Sequence, residues 1–295
     1  MKKMYLQRVM SITIINCLFL CVSSVNFQKC WASHNPSPNL SLKNNPSNAK
    51  ANNLLNQAKA QADLGLFQES IQNCDTALAV PGIDNATRAD ALSHRGGAKI
   101  HLGRLQDGMQ DCNAALMTPG VTGQTKANAL KNRGAAQENL GHFQEAIQDY
   151  NMALATVGID NPTRASALSN SGATKAHLSR YQEAIQDCNA SLATSGIKTN
   201  TKGMAFTNRG FAKSNLKRYQ EAIQDFNTAL NVVGIRGNTK SLALMNQGVA
   251  KGNLGHAQDA MRDFNWAIAI PGIDYQTRNL ALHNRELAKA ELGQK

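Results

Sequence analysis

Residues 127–164 read ANALKNRGAAQENLGHFQEAIQDYNMALATVGIDNPTR, and residues 203–240 read GMAFTNRGFAKSNLKRYQEAIQDFNTALNVVGIRGNTK. The second segment lies two periods of 38 residues downstream of the first. The same register runs from Ala51 onward without insertion or deletion. Units begin at 51, 89, 127, 165, 203 and 241, and a seventh half-unit begins at 279. Self-similarity at a fixed period of this length is the mark of a repeat architecture and decides the fold before any single residue is weighed.

Each unit spells two helices. Thr87, Thr125, Thr163, Thr201, Thr239 and Thr277 recur just before the first, where a hydroxyl is expected to accept from orphan N–H groups. Ala129, Leu130, Gly134, Ala136 and Leu140 then follow at helical spacing. Gly65, Gly103, Gly141 and Gly255 close this helix, with Ser179 and Lys217 in their place in two units. The second helix opens on Gln144-Glu145, an acid suited to the positive end of the helix dipole. It buries Ala146, Ile147, Tyr150, Ala153 and Leu154. Gly82, Gly120, Gly158, Gly196, Gly234 and Gly272, each followed by Ile or Val, are expected to end it in a Schellman turn.

A lone helical pair cannot bury both apolar faces, but stacked neighbours can. The expected fold is therefore all-α, an α-solenoid of stacked antiparallel helix pairs. The spacing of Gly134, Gly141, Phe143, Ala146, Tyr150 and Ala153 resembles the tetratricopeptide repeat (TPR), over residues 51–295. The resemblance implies a TPR-like right-handed superhelix. Its units are 51–88, 89–126, 127–164, 165–202, 203–240 and 241–278, with a capping helix at 279–292. The family's usual unit is 34 residues, and the four extra ones are expected in the loop Ile159–Thr163. Arg133 and Lys175 also stand where the family commonly has Leu and Tyr.

The resemblance implies a concave groove that receives an extended peptide of a partner protein. Asn132, Asn170, Asn208, Asn246 and Asn284, with Asn56, share one first-helix position, interrupted only by His94. A carboxamide donates and accepts, so this column could hold a peptide backbone whatever its side chains. The alternative is that the carboxamides bond the neighbouring helix and fix the stacking. Met204, Phe211, Leu242, Met245 and Val249, with Leu280 and Leu287, occupy inward offsets where earlier units carry polar or small residues. They are expected as an apolar patch or as closer packing near the C-terminal end. Some family members clamp a peptide's C-terminal carboxylate. At the matching positions Lys131 and Asn170 fit, but Ala135, Met204 and Asn208 do not, so that clamp is not expected.

Arg95, Arg133 and Arg209 should face Asp111, Asp149 and Asp225 of their own units as an ion-pair ladder. Lys99, Lys175, Lys213, Lys251 and Lys289, one turn on, should reach water. Arg88, Lys126, Arg164, Lys202, Lys240 and Arg278 recur at first-helix starts. There they either meet loop acids such as Asp84, Asp160 and Asp274 or bind an anionic polymer of the cell envelope. Cys74, Cys112 and Cys188 share the core slot of Tyr150 and Phe226. The scattered histidines suggest no metal site.

Upstream of the repeats, Lys2, Lys3 and Arg8 precede the uncharged run 9–25, and Cys30-Trp31-Ala32 offers a cleavage site. This reads as a signal peptide over 1–32, or as an uncleaved anchor. Residues 33–50 read as a disordered Pro/Ser/Asn linker. The formal charge of +11 falls to +7 once the four cations of residues 1–32 are set aside. Aromatic residues make up 5% of the chain, too few for base stacking, and no nucleic-acid partner is expected. No phosphate loop, HExxH, GxSxG or CxxC occurs. The expectation is an exported, periplasmic or extracellular scaffold, neither enzyme nor cofactor protein. It has a protein partner and no stable membrane insertion after cleavage. A structural part of an envelope assembly is the further alternative.

Overall fold

The computed structural model describes residues 45–293, apart from 122 and 274. The signal-like segment, most of the linker and Asp274 lie outside the described residues. The chain divides into compact units at Ala49 and Lys50. Of the first, only residues 45–49 are described; the second carries the repeats.

The described residues form thirteen helices and no strand. These are α1 (Pro46–Asp63), α2 (Phe67–Leu78), α3 (Asn85–His101), α4 (Leu105–Met117), α5 (Gly123–Asn139), α6 (Phe143–Leu154), α7 (Asn161–His177), α8 (Tyr181–Ala193), α9 (Thr199–Asn215), α10 (Tyr219–Leu230), α11 (Gly237–Asn253), α12 (Ala257–Ala269) and α13 (Tyr275–Gly293). From α3 onward, each odd helix packs on the even helix before it and on the one after, and consecutive first helices also touch from α3 to α13. The first helices therefore lie on the inside of the curve and the second helices on the outside.

Several local expectations are corrected. The first helices are 17 residues long from α3 to α11 and begin four residues before each unit boundary. The residues beyond the 34-residue norm thus feed the helix rather than a loop, and α1 already starts at Pro46, inside the expected linker. The threonines are not the caps. Asp84 and Asp160 are, accepting from the N–H of Thr87 and Thr163 at 2.7 Å. The threonine hydroxyls instead tie units together: Thr163 donates to Asn128 at 3.1 Å and Thr239 to Asn200 at 2.9 Å.

The Schellman turn belongs to the first helix. His142 N–H reaches Gln137 C=O at 2.8 Å and Gly141 N–H reaches Glu138 C=O at 3.0 Å. Gly141 has φ +81°, and Ser179 and Lys217 hold the same left-handed backbone at +60° and +62°. The second helices stop earlier than expected. α6 ends at Leu154, and Gly158 sits in the turn beyond it.

The core is built of alanine. Ala129, Ala136, Ala146, Ala153 and their equivalents are buried, so helices approach closely and little aromatic bulk is needed. Closest approach falls at Gly134, Gly210 and Gly248. A Cβ there would meet the ring of Tyr150, Phe226 or Phe264 at 2.8 Å or less. Cys112 and Cys188 fill the same slot against Gly96 and Gly172. The three described cysteines are free and buried, and burial pushes their thiols up to about 12.

Candidate functional site

The arginine column forms the ladder that the spacing predicts, and each rung reaches further than its own hairpin. Arg95 donates through Nε and Nη2 to both oxygens of Asp111 at 2.8 and 2.6 Å, and through Nη1 to Asp75 of the preceding unit at 2.7 Å. Arg133 does the same with Asp149 and Asn113, and Arg209 with Asp225 and Asn189. Of the five lysines one turn on, Lys289 is exposed as expected, whereas the other four turn to aspartates. Lys99, Lys175, Lys213 and Lys251 pair with Asp111, Asp187, Asp225 and Asp263 at 2.6–2.8 Å. These carboxylates are mostly buried and closely paired, which makes the ladder structural. The outer row behaves differently. Arg88, Lys126, Lys202, Lys240 and Arg278 are exposed and Arg164 is half-buried. None of these six side chains has a hydrogen bond or ion pair among the described residues.

Inside the curve lie two adjoining cavities of about 440 and 450 Å³, within the size range of ligand pockets. The first is bounded by α1, α3, α5, α7 and the start of α9. Its wall includes Asp90, His94, Asn128, Lys131 and Asn132. The second includes Met204, Thr207, Asn208, Asn238 and Leu242. Phe67, His101 and Arg236 border both. The Phe67 and His101 rings stack at 4.5 Å between centroids, and the Arg236 guanidinium lies 5.6 Å from the Phe67 centroid. Desolvation, then the charges of Arg236 and Lys131, hold His101 down to about 4, although its edge stays open to the cavity.

The cavity is closed on one side by contacts between residues far apart in sequence. Lys198 Nζ meets both oxygens of Asp63 at 2.7 and 2.9 Å. Arg236 Nη2 donates to the C=O of Ala62 and Asp63 at 3.1 and 3.4 Å. The solenoid thus returns to the end of α1 within its first five units.

The asparagine column is not uniform. Asn132 and Asn208 donate to the backbone C=O of Ser93 and Ser169, one unit upstream, at 3.0 and 3.1 Å. Asn170 lies beside the buried Tyr150 hydroxyl. Asn246 and Asn284 are half-buried with no side-chain partner among the described residues. Only Asn132 and Asn208 of the column line the cavities, one in each.

Of the apolar set, Met204 and Leu242 also line the second cavity. Met245 is core, with Leu242 and Val249 packed against its cluster. Phe211 packs on Ala176, Ala184 and Ala212. Leu280 and Leu287 are exposed. The expected patch therefore splits into cavity wall, core and outer surface.

Lys131 was legible in the sequence only as a clamp match. Its own column reads Leu55, Ser93, Ser169, Thr207 and Met245, all buried, and His283, exposed in the terminal helix. The Lys131 side chain has no hydrogen bond or ion pair among the described residues. Burial and the neighbouring Lys198 charge push its ammonium below the usual lysine range. Laying the units in register would have shown this lone cation.

A tetratricopeptide repeat model matches residues 205–232. No curated protein sequence matches the chain. Among solved structures, the Cut9–Hcn1 hetero-tetramer of the APC/C superposes with a TM-score of 0.63 at 16% identity, over 82% of this chain and 44% of that one. This chain thus spans less than half of that protein's length. PilF of Pseudomonas aeruginosa gives 0.58 at 14% identity, over 84% of this chain and 100% of its own. PilW, a type IV pilus biogenesis factor, gives 0.57 at 17%, over 78% and 97%. At such identities the likeness is one of fold. Stacked hairpins with first helices inward define an α-solenoid, the architecture of protein–protein interaction scaffolds. The tetratricopeptide repeat is matched at residues 205–232, and the other units repeat the same helical hairpin at the 38-residue period.

Proposed function

We propose that this scaffold is non-catalytic and holds a short extended segment of a partner protein in its inner cavity. The observation that carries this reading is the makeup of the wall. Asn128, Asn132, Asn208 and Asn238 offer amides for a peptide backbone. Met204 and Leu242 offer apolar contact, and Lys131 offers a cation with no ion pair among the described residues, in a wall that also holds Asp63, Asp90 and Asp160. A segment bearing one carboxylate beside an apolar residue complements this surface. The two engaged asparagines need not release the neighbouring helix, because each carboxamide oxygen is still free to accept.

The test is site-specific photocrosslinking. A photoreactive residue replacing Met204 should capture a defined partner. The same residue replacing Met152, exposed on the outer helix α6, should not. Capture only from Met152 would overturn the cavity reading. A location outside the cytoplasm is the companion reading, supported by the signal-like features of residues 1–32. Intact mass of the protein from its native source should then begin near Ser33.

A second reading rests on the outer cation row, which has no acidic partner among the described residues. Such a row suits an anionic envelope polymer. That binding should fall steeply as salt rises from about 50 to 200 mM. It should also fall when Lys202 and Lys240 become Gln, with the cavity untouched.

A further inference from the structure

The residue before each first helix forms a column: Asp84, Thr122, Asp160, Lys198, Arg236 and Asp274. Asp84 and Asp160 cap their helices through the side chain. Lys198 and Arg236 stand at the N-caps of α9 and α11 and make no side-chain cap bond. A cation there forfeits the cap and faces the positive end of the helix dipole, so both changes are locally unfavourable. Their compensation lies across the cavity, at the C-terminal end of α1. Lys198 pairs with the Asp63 carboxylate. Arg236 donates to the last carbonyls of α1, the negative end of that dipole, and covers Phe67. The column departs from its capping residue at the two units where the solenoid meets α1.

We propose that Lys198 and Arg236 form an ionic latch that closes the first five units into a ring around the cavity, and that the ring opens to admit a ligand. The latch is built to be reversible. Lys198 and Asp63 are both more than half exposed, at 57% and 61%, and such pairs contribute little in water and less in salt. Elsewhere the ring is helix packed on helix, whereas the seam at the end of α1 is held by the polar contacts of Lys198 and Arg236 and the cover of Arg236 on Phe67. The access role rests on the cavity being the ligand site, whereas the seam itself stands on geometry alone.

The test restores the column. In Lys198→Asp/Arg236→Asp each new residue can cap its helix as Asp84 and Asp160 do, so the variant keeps its fold, which circular dichroism checks. The new carboxylates also repel Asp63. Spin labels at Leu64→Cys and Thr199→Cys report the seam. Both positions are exposed, Cys74, Cys112 and Cys188 are too buried to label, and Cys17, Cys21 and Cys30 are replaced by Ser. At low salt the latched protein should give one short distance. The double variant, and the latched protein in about 1 M salt, where the Debye length is near 3 Å, should give a longer and broader one. Maleimide labelling of Met204→Cys should also become at least several-fold faster when the seam opens.

An unchanged distance in the folded variant would overturn the latch. A changed distance with unchanged Met204→Cys labelling would overturn its control of access. Either result is independent of the photocrosslinking outcome, which tests the scaffold reading without reference to the seam.

Discussion

Glu138 shows what a single unit can hide. The Tyr150 hydroxyl donates to its Oε2 at 2.9 Å, and burial raises the carboxyl to about 7, with that hydrogen bond opposing. An unfolded Glu ionises near 4.3. Between there and about pH 7 the folded chain holds the extra proton, so this group's contribution to stability falls as pH rises through that window and is flat above it. Glu138→Gln should therefore be more stable than the parent by roughly 1–3 kcal/mol at pH 8 and equal to it at pH 4, read from urea titrations. A gain at pH 4 of the same size would refute the protonation account. Gly210 makes the steric counterpart. Its Cβ would stand 2.7 Å from the Phe226 ring, so Gly210→Ala should cost about 1–3 kcal/mol in the same titration. The residue types in both contacts are visible in the sequence. The carboxyl's burial is not, because Glu138 lies at a position whose environment depends on Tyr150 in the next helix.

At the scale of the helix pair, the arginine ladder joins neighbours as well as partners. Its intra-unit half was legible, because antiparallel helices place Arg133 across from Asp149. The bond to Asn113 of the preceding unit was not, since it depends on the angle between hairpins. Unit six supplies a natural comparison. Gln247 replaces the arginine there and bonds Asn227 at 2.6 Å, while Asp263 keeps only Lys251 and its carboxyl is raised by burial. Arg209→Gln should thus cost on the order of 1 kcal/mol, since it keeps a donor toward Asn189. Asp225→Ala should cost about 3–5 kcal/mol, because it strands Arg209 and Lys213 together. Equal losses in denaturant titrations would contradict this ranking. The capping aspartates belong to the same scale. They were missed because six recurring threonines offered a plausible cap three residues too late, and the true column is broken by Lys198 and Arg236.

For the whole molecule, stability should follow position. Interior hairpins are covered on both sides, whereas α13 leaves Leu280 and Leu287 exposed and buries few residues. In a stack held by nearest neighbours, opening begins at such an end. Hydrogen exchange should be fastest in α13 and slowest from α5 to α9, and uniform protection along the chain would contradict this order. The hairpin architecture was readable from the 38-residue period alone. The return of the chain onto α1 was not, because superhelical pitch is set by angles that accumulate over several units.

That return gives the constant period a second meaning. Lys198 and Arg236 meet the end of α1 only because a fixed number of equal steps lies between them. Deleting residues 127–164 would leave a complete hairpin on either side and every local contact type intact. It would nevertheless leave both cations one step short of their target. The chain therefore counts: its repeats act as the divisions of a vernier, and ring closure is the single graduation at which the two scales coincide.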